Sequence, residues 1–584
     1  MASLAAVTAK RRVEVTRRVA QDTLVGWSSK GHDMKRAAIF ALGMAWMAFG
    51  LAADDLSSIG LPPQAVIAMR GIDAGRIRAH VKFLADDLLE GRGPGTRGGE
   101  LASNYIASQF AVLGLQPAGD DGGYLQKVGF VGVQTLRGTT AALQPAHGEE
   151  IDLKLAEDFV TSNQTQTDDV DIDAPVVFVG YGIDAPEYHW NDFKGVDVKG
   201  KVVLIIVNEP PSNDPKFFNG GALTYYGRWT YKFEEAARMG AIAALIIHRT
   251  DLASYGWDVV RNSWSNEQVY LAGDQEPKLK AASWIQLDAA RKLLAGANLN
   301  LDDMIAAAGT RRFKARELPV RFAAHVVSEV RRFTSYNVLG VLPGSAAAAT
   351  QAVMYSAHYD HLGVDPSLSG HKIYNGAVDN ATGCGMLLEI AHAFATAAIK
   401  PPQPVLFAAV TAEEKGLLGS EYLAKHLPIA AAHMALDLNF DAVPPIGTPQ
   451  SVSVTGAERT TFYPTVQKTA AAFGFEIQGD AEPGAGHYYR SDHFSLARAG
   501  VPAFSINAGP KFAAHTAAWG IEQAQDYTAH RYHRPFDQYT ESMDFSSNAA
   551  LARFGFALGW QALAAPQTVN WRPGDEFSRP SAIP

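Results

Sequence analysis

The chain has 584 residues, 47% of them hydrophobic and 19% charged, with 51 Lys and Arg against 60 Asp and Glu. That length exceeds one ordinary core and that composition is globular, so two folded domains are expected. The net charge of −9 and the absence of a basic stripe exclude a nucleic-acid partner. A single cysteine, Cys384, excludes an internal disulfide and reads as a small buried hydrophobe.

Residues 1–53 form an N-terminal extension and signal peptide. The first 33 are basic and patternless, whereas Met34-Lys35-Arg36 leads into the uncharged stretch Ala37 to Ala53, which ends in small residues before Asp54. A charged start, a short apolar run and a small-residue cleavage site describe a secretory signal. The run falls short of the roughly 20 residues a span needs, so a periplasmic or secreted protein is expected, with no stable membrane insertion after cleavage.

Residues 54–144 form the first part of a larger domain. Ile77 to Leu89 is amphipathic, the glycine-rich run Glu90 to Gly98 breaks it, and Glu100 to Leu113 resumes a helix that stops at Gly114. No strand precedes the glycine-rich run, so a phosphate loop is rejected. Residues 145–315 change to short β-branched runs, among them Val176 to Val179, Val202 to Val207 and Ala243 to Ile247, with a helix at Tyr231 to Arg238. This block has no His, Asp and Glu at ligand spacing and reads as a binding or covering domain.

Residues 316–584 complete the larger domain. Apolar strands at Val338 to Leu342, Val353 to Ser356, Val405 to Val410, Ala435 to Phe440 and Val501 to Ile506 alternate with helical stretches such as Met386 to Thr396. Such alternation predicts an α/β fold, a mostly parallel sheet with helices on both faces, whose ligands bind beyond the carboxyl ends of the strands. His358, Glu413, Glu414 and Asp441 all fall there.

Two zinc ions need about three or four protein ligands each, drawn from imidazole and carboxylate. His358 offers an imidazole, with Asp360 two residues on to accept its free ring N–H. Asp379 can bridge two ions, and Glu414 and Asp441 can supply one carboxylate to each. A second imidazole must come from beyond Asp441; His533, in Tyr532-His533-Arg534-Pro535-Phe536-Asp537, is the leading candidate, with His487, His493, His515 and His530 as rivals. Glu413 can face a water without coordinating, as a general base requires. The simpler reading of Glu413 and Glu414 is that they favour the first turn of a helix at Leu417 to Lys425.

Taken in order, HYDH, DNATG, EEKGLLGS, NFD and YHRPFD resemble the motifs of the co-catalytic zinc aminopeptidases of peptidase family twenty-eight, whose relatives include glutamate carboxypeptidase and glutaminyl cyclase. The block 145–315 resembles the protease-associated domain that many members carry as an insertion. The resemblance implies one zinc on His358, Asp379 and Asp441, and a second on Asp379, Glu414 and His533. Glu413 is then the base, Tyr532 an oxyanion donor, and Asp379-Asn380 a cis peptide. Ser491-Asp492-His493 resembles a recurrent motif beside the site and is read, with Asp360, as supporting the ligands. The implied function is removal of N-terminal residues from peptides with free N-termini. The alternatives are a carboxypeptidase or a cyclase on the same site, or a non-catalytic protein that binds through the protease-associated domain.

Overall fold

The computed structural model describes residues 59–253, 255–346 and 350–577. The signal-like residues 34–53 lie outside them. The chain divides at Pro63, and every element named below belongs to the second unit, Gln64–Pro584.

Two helices near the start of this unit are α1 (Ala74–Leu84), capped by the Asp73 side chain, and α2 (Arg97–Val112), capped by Thr96. The expected helix to Leu89 ends five residues early. Backbone φ is positive at Glu90 and Arg92, and residues Asp87–Arg92 form a tighter turn that tucks the Arg92 side chain inside. Strands β1 (Leu125–Thr135), β2 (Thr140–Pro145), β3 (Phe159–Ser162), β4 (Asp169–Phe178) and β5 (Val202–Ile206) follow, then helix α3 (Trp229–Arg238) and strands β6 (Ala243–His248) and β7 (Ala281–Gln286). In this block the order β3-β7-β6-β5-β4 has β4, β5, β6 and β7 mutually parallel. β5, and β6 up to His248, are continuous apolar runs because both faces are covered.

The short strand expected at Val338 to Leu342 is the end of a 27-residue strand, β8 (Arg316–Leu342). Its first half pairs antiparallel with β4 and β2, and its second half with β1 and the sheet that carries His358, so one strand runs through both sheets. Next come β9 (Ala352–His358), α4 (Thr382–Thr396), β10 (Val405–Val410), α5 (Leu418–Lys425), β11 (Met434–Asn439), α6 (His493–Arg498), β12 (Ala503–Ser505), α7 (Ala517–His530) and α8 (Ser546–Ala564). The sheet order β12-β11-β9-β10 is parallel throughout, and β10 pairs antiparallel with β8.

Side-chain alternation in β9 assigns the helices to faces. Tyr355 donates to Gly555 O of α8 at 3.0 Å and stacks on Phe407, which lies 6.3 Å from Phe394 of α4. Its neighbour Met354 points the other way, into a cluster with Leu423 of α5 and Leu496 of α6. The sheet is therefore covered on both faces, and its parallel strands deliver their carboxyl ends to one edge.

Candidate metal centre

His358 is the last residue of β9, and its Nε2 lies 3.3 Å from Asp379 Oδ1 and 3.2 Å from Asp441 Oδ1. His533 Nε2 lies 3.3 Å from Asp379 Oδ2 and 3.1 Å from Glu414 Oε2. Asp379 thus faces a different imidazole with each oxygen. The Asp379-Asn380 peptide is cis.

The spacing tests whether zinc fits. Two donors each ~2.0–2.1 Å from one tetrahedral zinc lie ~3.3 Å apart, which all four of these distances approximate. The donor set is also right in charge. Asp379, Asp441, Glu413 and Glu414 crowd a largely buried space whose local cations are imidazoles, an excess of negative charge that dications relieve.

His361 carried no role in the sequence reading, yet it is fully buried and its Nδ1 sits 2.5 Å from Glu414 Oε1. His361, Asp379 and Glu414 also converge as a possible donor group. A separation of 2.5 Å is too short for two ligands of one zinc and is that of a hydrogen bond. His361 therefore holds one oxygen of Glu414 and leaves the other toward His533. The sequence signal was present: HYDH places a second imidazole one residue after Asp360.

The charges of the site respond to one another. Burial alone would lower the His358 and His533 pKa values, but the surrounding carboxylates raise both well above the usual imidazole range. Burial pushes Asp379 and Glu414 up, yet hydrogen bonds from His358 and His533 to Asp379, and the charges of His533 and His361 on Glu414, leave both below the usual carboxylate range. Glu413 goes the other way. Burial lifts it well above that range, opposed by His358 and reinforced by Asp441 and Glu414. Two adjacent glutamates thus have opposite environments, one tied to imidazoles and one able to hold a proton.

Supporting contacts fix the ligands. The expected bond from the His358 ring to the Asp360 carboxylate is replaced by one to the Asp360 main-chain carbonyl, with Nδ1 to O 3.2 Å against 3.8 Å to Oδ1. The carboxylate instead accepts the Glu413 amide at 3.1 Å and so orients the base. Ser491 Oγ donates to Asp441 Oδ2 at 2.6 Å and accepts from Asn439 Nδ2 at 2.7 Å. His493 lies 3.5 Å from Asn439 Nδ2, its pKa pushed by burial down to about 3, and burial lifts Asp492 to about 7. Tyr532 stacks on His533 at 3.8 Å between ring centres and is 41% exposed at the rim.

Two further groups carry no role in the sequence reading, and a third, Cys384, is read there only as a small buried hydrophobe. Asp537, the last residue of YHRPFD, accepts the Val378 amide at 3.0 and 3.1 Å and the Asp379 amide at 3.0 Å. Arg92, fully buried, donates to the carbonyls of Tyr359, Leu84, Asn375 and Gly376, tying the end of β9 to the turn before Asp379. Cys384 is more than filler. Its thiol donates to His358 O at 3.2 Å, and burial lifts its pKa to about 12, so it stays protonated.

The rival histidines lie elsewhere: His487 pairs with Asp480, His530 with Asp526, and His515 stacks on Trp519.

Residues 337–556 match the family described as Peptidase family M28. Leupeptin-inactivating enzyme 1 of Streptomyces exfoliatus is 30% identical over 274 residues, covering 45% of this chain and 56% of that protein. A probable zinc metalloprotease of Pyrenophora teres f. teres is 27% identical over 239 residues, covering 38% of this chain and 48% of that protein. The chain thus spans about half the length of these curated relatives. The solved aminopeptidase from Aneurinibacillus sp. strain AM-1 superposes with a TM-score of 0.49 at 20% identity, covering 85% of this chain and 95% of that one. His358, Asp379, Glu414, Asp441 and His533, the residues of both donor sets, all lie within the segment that matches Peptidase family M28.

Proposed function

We propose that this protein is an exported di-zinc aminopeptidase that removes unblocked N-terminal residues from peptides, with residues 145–315 acting as a protease-associated domain. The observation that carries the reading is the pair of donor sets, His358 with Asp441 and His533 with Glu414, joined by Asp379, with Glu413 beside them in an environment suited to holding a proton. The name of the Pyrenophora relative, a probable zinc metalloprotease, supports the metal.

Zinc bound by these residues supplies Lewis acidity, polarising the scissile carbonyl and lowering the pKa of water. Glu413 takes the proton of the attacking water and returns it to the leaving amine, the exchange its raised pKa favours. The Tyr532 hydroxyl donates to the oxygen on which negative charge develops. Asp441 holds the substrate's free ammonium, which restricts cleavage to chain ends. Residues 34–53 direct export.

The test is one peptide in three forms: free, N-acetylated and C-amidated, with aminoacyl-anilides and zinc analysis alongside. Cleavage is expected to fall to background on acetylation. Indifference to acetylation combined with abolition by amidation assigns a carboxypeptidase instead.

A further inference from the structure

Away from the donor sets, the inserted block meets the metal-bearing part again. Gly227, Arg228 and Trp229, at the start of α3, line a recess together with Tyr255, Gly484, Arg490 and neighbouring, mostly apolar residues. Helix α3 starts with no side chain capping it, so its first-turn amides add partial positive charge to the recess wall. Arg228 Nε is sealed from solvent and has no hydrogen-bond partner. The charges acting on Arg228 most strongly come from Arg490 and the phenols of Tyr255, Tyr225 and Tyr489, none of them a carboxylate. Burial first, and Arg490 second, bring its pKa down to about 10.

Across the recess Arg490 spends one N–H on Ala485 O, at 2.7 Å. Asp480, the acid that senses Arg490, is already engaged by His487 Nδ1 at 3.2 Å and the Glu482 amide at 2.9 Å. Two guanidiniums held near one another without a shared acid form an arrangement that an anion stabilises. Their planar forks match a carboxylate, which accepts two parallel hydrogen bonds. The recess also lies close to the reaction centre along the chain, because Arg490 directly precedes Ser491, whose hydroxyl is 2.6 Å from Asp441 Oδ2.

We propose that the Arg228–Arg490 recess binds a carboxylate, namely the free C-terminus of a short peptide whose N-terminus lies at the metal donors. The proposal rests on the aminopeptidase reading above and adds a length rule to it. The distance from donors to recess is fixed, so one peptide length reaches both ends, and shorter or longer peptides lose the second contact.

The experiment measures kcat/KM on the full-length zinc-loaded protein for di- to hexapeptides, each as free acid and as amide. An aminoacyl-anilide, which has no carboxylate, serves as the reference substrate. Wild type is compared with Arg228→Gln and Arg490→Gln. The acid-to-amide ratio is expected to reach about tenfold at one length, the scale of a charge-assisted contact, and to return to near one in both variants. Arg490 is solvent-exposed, so R490Q carries the test if R228Q fails to fold. Acetate and inorganic phosphate are added as competitors. Suppression of the acid-to-amide ratio by acetate supports a substrate carboxylate, whereas phosphate binding that leaves every ratio at one assigns the recess to a free anion and overturns the proposal. A ratio of one at every length with normal anilide turnover also overturns it. Absence of anilide turnover in wild type overturns the aminopeptidase reading instead.

Discussion

Replacing Asp537 with Ala removes a carboxylate that coordinates nothing itself yet fixes the residue shared by both donor sets. Its oxygens accept the Val378 and Asp379 amides at 3.0–3.1 Å and the Tyr527 hydroxyl at 3.2 Å. Asp537 is 1% exposed, so water does not readily replace it. A hydrogen bond to a charged group contributes ~1.5–3 kcal/mol, and a buried amide left unsatisfied costs ~1–3 kcal/mol. Water entering the vacated space recovers part of this, so a net loss of ~3 kcal/mol is expected across the two amides. Freed from its amide anchor, the Asp379 carboxylate no longer points one oxygen at each imidazole. Loss of such a supporting contact lowers metal affinity ~10–100-fold. Urea unfolding of the metal-free protein reads the first effect, and chelator competition for zinc reads the second. Asp537→Asn keeps one acceptor oxygen and should fall between. If Asp537→Ala unfolds within ~0.5 kcal/mol of wild type, the ordinary scatter of surface changes, and binds zinc as tightly, the reasoning is refuted.

Glu413→Gln should keep its zinc and its fold while lowering kcat by about two to four orders of magnitude, the scale of general-base removal; activity near wild type would remove Glu413 from that role. Asp379→Ala should release metal from both donor sets at once, and elemental analysis that still finds two zinc ions per chain would disprove the bridge. Zinc affinity should weaken as pH falls. In the metal-free protein the pKa values of His358 and His533 are raised well above the ordinary imidazole value, so both bind protons that zinc must displace. Chelator competition from about pH 8 down to about pH 5 checks this, and a flat profile contradicts it.

The parallel strands, the helix at 418–425 and the placing of His358, Glu414 and Asp441 were legible because each lies in a local pattern, whereas Asp379 and His533 follow no strand and stood out through the motifs DNATG and YHRPFD. An apolar run predicts a strand, and a carboxylate or imidazole just past it falls at the binding edge. Long-range pairing was not legible. The 27-residue strand β8 carries polar residues through its middle, where one half leaves the sheet of β4 and β2 and the other joins the sheet that carries His358, so only its last five residues looked like a strand. Asp537 was quoted within a motif but given no role, since its partners, the Val378 and Asp379 amides, lie 158–159 residues away. Arg92 was hidden for a similar reason. A glycine-rich, charged loop reads as exposed, and nothing local says that its guanidinium is needed inside.

Arg92 and Asp537 explain how a site so rich in carboxylates can be built on loops and still hold its donors ~3.3 Å apart. The strand ends fix only His358 and the approach to Glu413 and Asp441; Asp379 sits in the turn that follows Gly376, where φ is +56° and a Cβ would collide with the Asp379 carbonyl. That turn is held from two sides, by the Arg92 guanidinium on the carbonyls of Asn375 and Gly376 and by the Asp537 carboxylate on the amides of Val378 and Asp379. Both clamps act on main chain, so neither consumes a carboxylate oxygen of Asp379. Its two oxygens remain directed at His358 and His533, which is what a shared ligand between two cations requires.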